Sequence, residues 1–162
     1  DGCKHKLVVS SWCKFVLEKE EKLKDNKIYN TALYCRLSLD DGSVGESGSI
    51  QTQKIILEEY AKMHGFKIYD VYVDDGYSGL NFNRPGFQKM LNDIEKGKID
   101  GIIVKDLSRL GRNYILVGNF IEDIIPKYKL RFISVNDNVD SYLNPESMSN
   151  LIVPIKNLMN EK

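Results

Sequence analysis

At 162 residues, with 42% apolar and 28% charged side chains, the chain is sized for one globular domain with a full core and little left over for a second. The net charge is zero, and seven lysines against five acids in residues 1–27 leave residues 28–162 at net −2, which argues against a broad basic face for gripping nucleic acid. No apolar run approaches the ~20 residues of a membrane helix. The stretch LVVSSWCKFVL is short, interrupted by Ser10, Ser11 and Lys14, and runs into EKEEKLK, so it does not read as a signal peptide. Cys3, Cys13 and Cys35 are odd in number and lack CxxC spacing; neither a disulfide framework nor a zinc site is expected, and a reducing cytoplasm is. A start without methionine fits a processed or excised piece.

In chain order, residues 1–27 form an extension of unassigned role, with a possible helix through WCKFVLEKEEKLK. IYNTALYC (28–35) predicts a strand. SIQTQKIILEEYAKMHG (49–65) predicts a helix with Ile50, Ile56, Leu57, Tyr60 and Ala61 on one face and Gly65 as its stop. KIYDVYVD (67–74) alternates as a strand, and RPGFQKMLNDIEKG (84–97) opens on Pro and closes on Gly as a short helix does. IDGIIVKD (99–106) predicts a buried strand, NYILVGNFIEDIIPKYK (113–129) a helix and LRFISV (130–135) a strand. Strands alternating with helices imply an α/β fold, a mostly parallel sheet flanked by helices. Met148, Leu151, Ile152, Ile155, Leu158 and Met159, spaced by three and four, predict an amphipathic helix with Pro154 as a possible kink. That helix either packs on the core or begins a dimerisation helix that runs on past Lys162.

Sites in open parallel sheets gather at the carboxyl ends of strands. Four such ends are YCRLSLDD, VDDGYSGLNFNR, KDLSRLGRN and VNDNVD. Only five of the 23 basic residues are arginine, and four of them, Arg36, Arg84, Arg109 and Arg112, fall at these ends. Where lysine is the default cation, such a cluster marks places needing the planar guanidinium fork. Several guanidiniums around a hydroxyl suit a phosphodiester: they bind its anionic oxygens and stabilise the extra charge of a pentacoordinate transition state. The same positive field favours the alkoxide of Ser38 without a histidine, with Gln53, Asp75 or a second arginine arranging the proton transfers.

YCRLS, then SIQTQ, then VDDGYSG with its following Arg, then KDLSRLGRN resemble, in this order and spacing, the catalytic domain of serine recombinases of the resolvase/invertase family, in the style of the large members that mobilise transposons and phages. The resemblance covers roughly residues 28–160 and implies the resolvase-like fold. It puts the nucleophile on Ser38, its neighbouring arginine on Arg36, the active-site glutamine on Gln53, the acid on Asp75, the arginine after the loop on Arg84 and the paired arginines on Arg109 and Arg112, with the four arginines binding DNA. Many small resolvases carry Asp directly before the first paired arginine; here Ser108 stands there and Asp106 lies two residues earlier, so no acid role is assigned. The resemblance further implies a covalent 5′-phosphoserine, strand exchange and religation at double-stranded recombination sites. It implies a homodimer and a synaptic tetramer of the full-length protein, no metal or other cofactor, and no membrane. The implied organisation is an N-terminal extension (1–27), a catalytic domain (28–146) and the truncated start of a long dimerisation helix (147–162).

Three other readings compete. Asp40, Asp41, Asp74, Asp75 and Asp106 are spaced for a metal-dependent phosphoryl-transfer enzyme, although four arginines on one rim would repel the ion. A receiver-like interaction module shares the sheet and the strand-end acids but gives no reason for Arg36 beside Ser38. A serine hydrolase lacks G-x-S-x-G and a plausible histidine, His64 reading as a solvated helix-end residue. Gly42, Gly45 and Gly48 are not followed by G-K and read as a loop rather than a phosphate cradle.

Overall fold

The computed structural model describes residues 11–23, 27–38 and 49–160. The glycine loop with Gly42, Gly45 and Gly48, and the acids Asp40 and Asp41, lie outside these residues. The elements are α1 (Ser11–Leu23), β1 (Asn30–Leu37), α2 (Ile50–Met63), β2 (Lys67–Asp75), α3 (Pro85–Glu95), β3 (Gly101–Val104), α4 (Leu107–Leu110), α5 (Tyr114–Asn119), a π-helical turn (Phe120–Ile124), α6 (Ile125–Lys127), β4 (Arg131–Ser134), β5 (Val139–Asp140) and α7 (Pro145–Asn160).

The five strands form one sheet in the order β2-β1-β3-β4-β5. Pairings β1–β2, β1–β3 and β3–β4 are parallel, and β4–β5 is antiparallel. Central strands of such a sheet are covered on both faces and read as continuous apolar runs, as β1 and β3 do. Side chains alternate along β1: Ala32 and Tyr34 enter the core under α3, α5 and α7, while Leu33 and Cys35 meet Leu57 and Ala61 of α2. Arg36 shares the parity of Tyr34 and so points to the first face. From β1 the chain goes to β2 on one side and then to β3 on the other. The winding therefore reverses at β1 and β3, and the crevice beyond their carboxyl ends is where such folds bind ligands.

The fold is the expected α/β sheet flanked by helices. Strand β1 runs two residues past its predicted end, so Arg36 is a strand residue and Ser38 the first residue after it. Short α4 and two-residue β5 were not predicted, being too brief for any periodicity. The helix predicted through 113–129 is interrupted. Pro126 has no N–H to offer a residue one turn back, and the Ile125 amide reaches the Phe120 carbonyl, widening the turn. Ser49 caps α2 as a short hydroxyl residue should, accepting from the Thr52 amide. Met148, Leu151 and Ile152 of α7 pack against the core. Among the described residues no helix is long and apolar enough to cross a membrane.

Candidate active site

The central piece of the site is its least stable element. Helix α4 is a single turn following β3, too short to hold itself because nucleation costs more than one turn returns. It is held from outside at both ends. At its carboxyl end the carbonyls of residues 108, 109 and 110 would have no helical partner. Arg36 donates from Nε to the Arg109 carbonyl (3.1 Å), from Nη2 to the Ser108 carbonyl (2.6 Å) and from Nη1 to the Tyr77 carbonyl (3.0 Å). Arg84 donates from Nη2 to the Leu110 carbonyl (2.5 Å), from Nη1 to the Arg109 carbonyl (3.3 Å) and Tyr34 Oη (2.7 Å), and from Nε to the Asn81 carbonyl (3.0 Å). Both guanidiniums are fully buried, at 0% and 1% exposure. Cations at a helix carboxyl terminus, each in a fan of carbonyls, offset that desolvation. Burial, followed by the charges of Arg84 and Arg112, lowers the Arg36 pKa to about 10, so it stays charged at neutral pH.

Behind Arg84 stands a buried chain. Tyr34 donates its hydroxyl to Asp74 Oδ2 (2.8 Å), and Asp74 accepts from the amides of Gly86 and Phe87 at the start of α3 (2.8 and 2.9 Å). Arg84 is the N-cap of α3 and makes no side-chain cap, so Asp74 supplies that role from β2. Gly86 is required at this approach. A Cβ there would lie 2.8 Å from the Val73 carbonyl and 3.0 Å from both Asp74 carboxylate oxygens. Burial first, and then the Asp74 hydrogen bond against the opposing Arg84 charge, hold the Tyr34 phenol protonated far above its ordinary range.

Gln53, from α2, closes the other side of the strand end. Its Oε1 accepts from the Arg36 amide (3.2 Å) and its Nε2 donates to the Arg36 carbonyl (3.1 Å), continuing the ladder where the strand stops. Arg109 donates from Nη1 to the same carbonyl (3.1 Å). Ser38, 6% exposed, is two residues farther on, so Gln53 and Arg109 both converge on the backbone that leads into it. The loop after β2 completes the rim. The Gly79 carbonyl accepts from the amides of Arg112 (2.7 Å) and Asn113 (3.3 Å), and a Cβ on Gly79 would lie 3.0 Å from both Arg112 Cγ and Arg36 Nη2. Arg112 itself is exposed and Arg109 half-buried.

Thus the structure brings together Ser38, Arg36, Gln53, Arg84, Arg109 and the backbone of Arg112. Asp75 is the exception among the expected residues: it is exposed at the end of β2, and its neighbour Asp74 is the carboxylate inside the network. Strand alternation carries the signal that separates the two, since Tyr72 and Asp74 share the buried parity. Arg131, the fifth arginine, is remote from this site. It makes a two-pronged ion pair with Asp140 (3.0 and 2.6 Å) among the rings of Tyr29, Phe66 and Tyr142. Among the described residues the aspartates do not come together as a metal cage. Asp74 is committed to α3, Asp106 contacts Ser108 and Arg109, and among the described residues no three His, Cys, Asp or Glu side chains converge to hold an ion. His64 is exposed and stacks on Tyr60 at the end of α2.

A mostly parallel sheet reversing at β1 and β3, with a serine and several arginines at that switch point, defines an open-sheet α/β domain whose candidate site lies in the crevice at the strand ends. Solved structures of the same shape narrow it. The N-terminal catalytic domain of TP901-1 integrase is 31% identical with a TM-score of 0.67, the match covering 80% of this chain and 92% of that one. A resolvase family site-specific recombinase from Streptococcus pneumoniae is 29% identical with a TM-score of 0.67, covering 83% and 89%. A Bacillus subtilis (strain 168) protein named "Putative DNA recombinase" is 31% identical over 105 residues, which are 65% of this chain and 20% of that protein. The family model "Resolvase, N terminal domain" matches residues 31–162, and the chain belongs to that family, the catalytic domain of the serine recombinases.

Proposed function

We propose that this domain cleaves and rejoins DNA at specific sites, with Ser38 as the nucleophile. The observation that carries the reading is the convergence of Gln53 and Arg109 on the Arg36 backbone, two residues before Ser38, at the switch point of the sheet. In the forward step Ser38 Oγ attacks a backbone phosphorus. The Oγ–P bond forms, the P–O3′ bond breaks, the hydroxyl proton leaves the serine and the departing 3′ oxygen takes up a proton. The product is a 5′-phosphoserine and a free 3′-hydroxyl. Because one phosphate ester replaces another, the bond is conserved, and a 3′-hydroxyl from the exchanged strand reverses the step without a nucleotide cofactor.

The geometry supports different roles for the arginines. Arg109 and Arg112 are the groups proposed to meet the non-bridging oxygens of the phosphate. Arg36 and Arg84 hold the helix that carries Arg109, and add positive field that favours the Ser38 alkoxide. Asp75, exposed beside the rim, is proposed to take part in the proton transfers. The substrate is a double-stranded recombination site. In the intact natural protein, α7 is proposed to extend into a dimerisation helix, two dimers forming the synaptic tetramer, and most DNA affinity to lie outside the near-neutral catalytic domain. Excision or integration of a mobile element in the cytoplasm is the proposed setting.

If arginines rather than a divalent ion stabilise the phosphorane, strand cleavage by the intact natural protein will continue at an unchanged rate in saturating EDTA. Loss on chelation, restored by magnesium, would overturn the reading.

A further inference from the structure

We propose that Asp137 is a positioning residue for strand cleavage, holding α4 from the turn between β4 and β5 so that Arg109 meets the phosphodiester; this rests on the reading of Ser38 and Arg109 given above. The N-cap of α4 is Asp106, yet it makes no side-chain cap: its carboxylate is turned to Ser108 Oγ and the Arg109 guanidinium. The cap comes instead from Asp137, thirty residues on, whose Oδ2 accepts from the Leu107 amide (2.9 Å). The same oxygen accepts from Ser134 Oγ (2.6 Å), a fully buried hydroxyl at the end of β4 that fixes the direction of the carboxylate. Asn138 gives the turn its shape at φ 53°, a left-handed conformation that asparagine tolerates better than most residues.

The consequence follows from how α4 is tethered. Arg36 and Arg84 hold its carboxyl end, and Asp137 holds its amino end. Without Asp137 the amino end of the single turn loses its side-chain tether and keeps only the main-chain bond of the Asn136 amide to the Lys105 carbonyl just before it (2.8 Å); loosened there, the turn shifts about the two arginines, and Arg109 shifts with it. The turn also leads within two residues into β5, where the Asp140 amide donates to Ser147 Oγ of α7 (3.3 Å). Movement of α7 therefore has a short path to the arginine. Asp137 lies on an exposed turn and fills no core space, so its removal is expected to cost the fold no more than the two hydrogen bonds it accepts.

The test uses the intact natural protein with Asp137→Ala, Asp137→Asn and Ser38→Ala, measuring single-turnover cleavage at saturating DNA, DNA affinity and the unfolding temperature. Asp137→Ala is expected to cleave roughly tenfold more slowly with unchanged DNA affinity, the scale of a lost cap expressed in rate. Asp137→Asn is expected to regain most of that rate, because both hydrogen bonds end on one oxygen and the amide oxygen can accept both. Cleavage by Asp137→Ala at the native rate, or a loss that vanishes on cooling in step with its unfolding, would overturn the role while Ser38→Ala remains inactive. Cleavage persisting in Ser38→Ala would instead overturn the underlying reading, and this one with it.

Discussion

Arg109→Lys and Arg112→Lys are each expected to slow strand cleavage by the intact natural protein roughly a hundredfold to a thousandfold, the cost of losing one charged contact to a transition state. Charge alone does not preserve the function. Arg109 donates from one arm of its guanidinium to the Arg36 carbonyl, and a planar fork of five donors can serve several acceptors at once. An ammonium has its donors on a single atom at the end of a flexible stem and cannot hold the strand end and grip two phosphate oxygens together. Arg112 is exposed and its main chain is fixed by Gly79, so lysine there keeps the attraction for DNA and loses the forked geometry. Rates should fall more than affinities in both variants. Near-native turnover would return these side chains to the ordinary surface charges.

Arg84→Leu is expected to destabilise the 162-residue chain by about 3–5 kcal/mol, read as a shift of the urea unfolding midpoint, because it breaks a buried network by removing one partner. The Leu110 carbonyl loses its Arg84 donor, the Tyr34 hydroxyl loses one of its two partners, and the guanidinium packed over Phe82 and Phe87 is gone. Burial already works against the charge and lowers the Arg84 pKa, and its hydrogen bonds are what hold it there. A cost below about 1 kcal/mol would mean that the carbonyl ends of α4 are satisfied by other groups, since a buried acceptor without a partner alone costs about that much or more.

The division of labour among the arginines explains how far the sequence could be read. Parallel strands, long helices and the clustering of Arg36, Arg84, Arg109 and Arg112 at strand ends are encoded locally, in hydrophobic period and in the scarcity of arginine among lysines. What holds the site together is not local. Asp74 caps α3 from another strand, Asp137 caps α4 from thirty residues away, and Arg36 and Arg84 meet backbone carbonyls, which leave no mark on the residues that own them. A four-residue helix has no period to detect. In VDDGYSG the two aspartates look alike to a motif. Strand parity distinguishes them, leaving Asp75 exposed at the rim and committing Asp74 to the interior.

The most direct measurement is peptide mapping of a trapped complex. The intact natural protein is stalled on a nicked crossover site, denatured and digested, and the peptide bearing a covalent nucleotide is sequenced by mass spectrometry. The proposed chemistry places a 5′-phosphonucleotide on Ser38, and Ser38→Ala abolishes the adduct while DNA binding is retained, because the hydroxyl makes the bond and contributes little to docking. A nucleotide found on Ser43, Ser47 or Ser49, or an adduct that survives in Ser38→Ala, would contradict it.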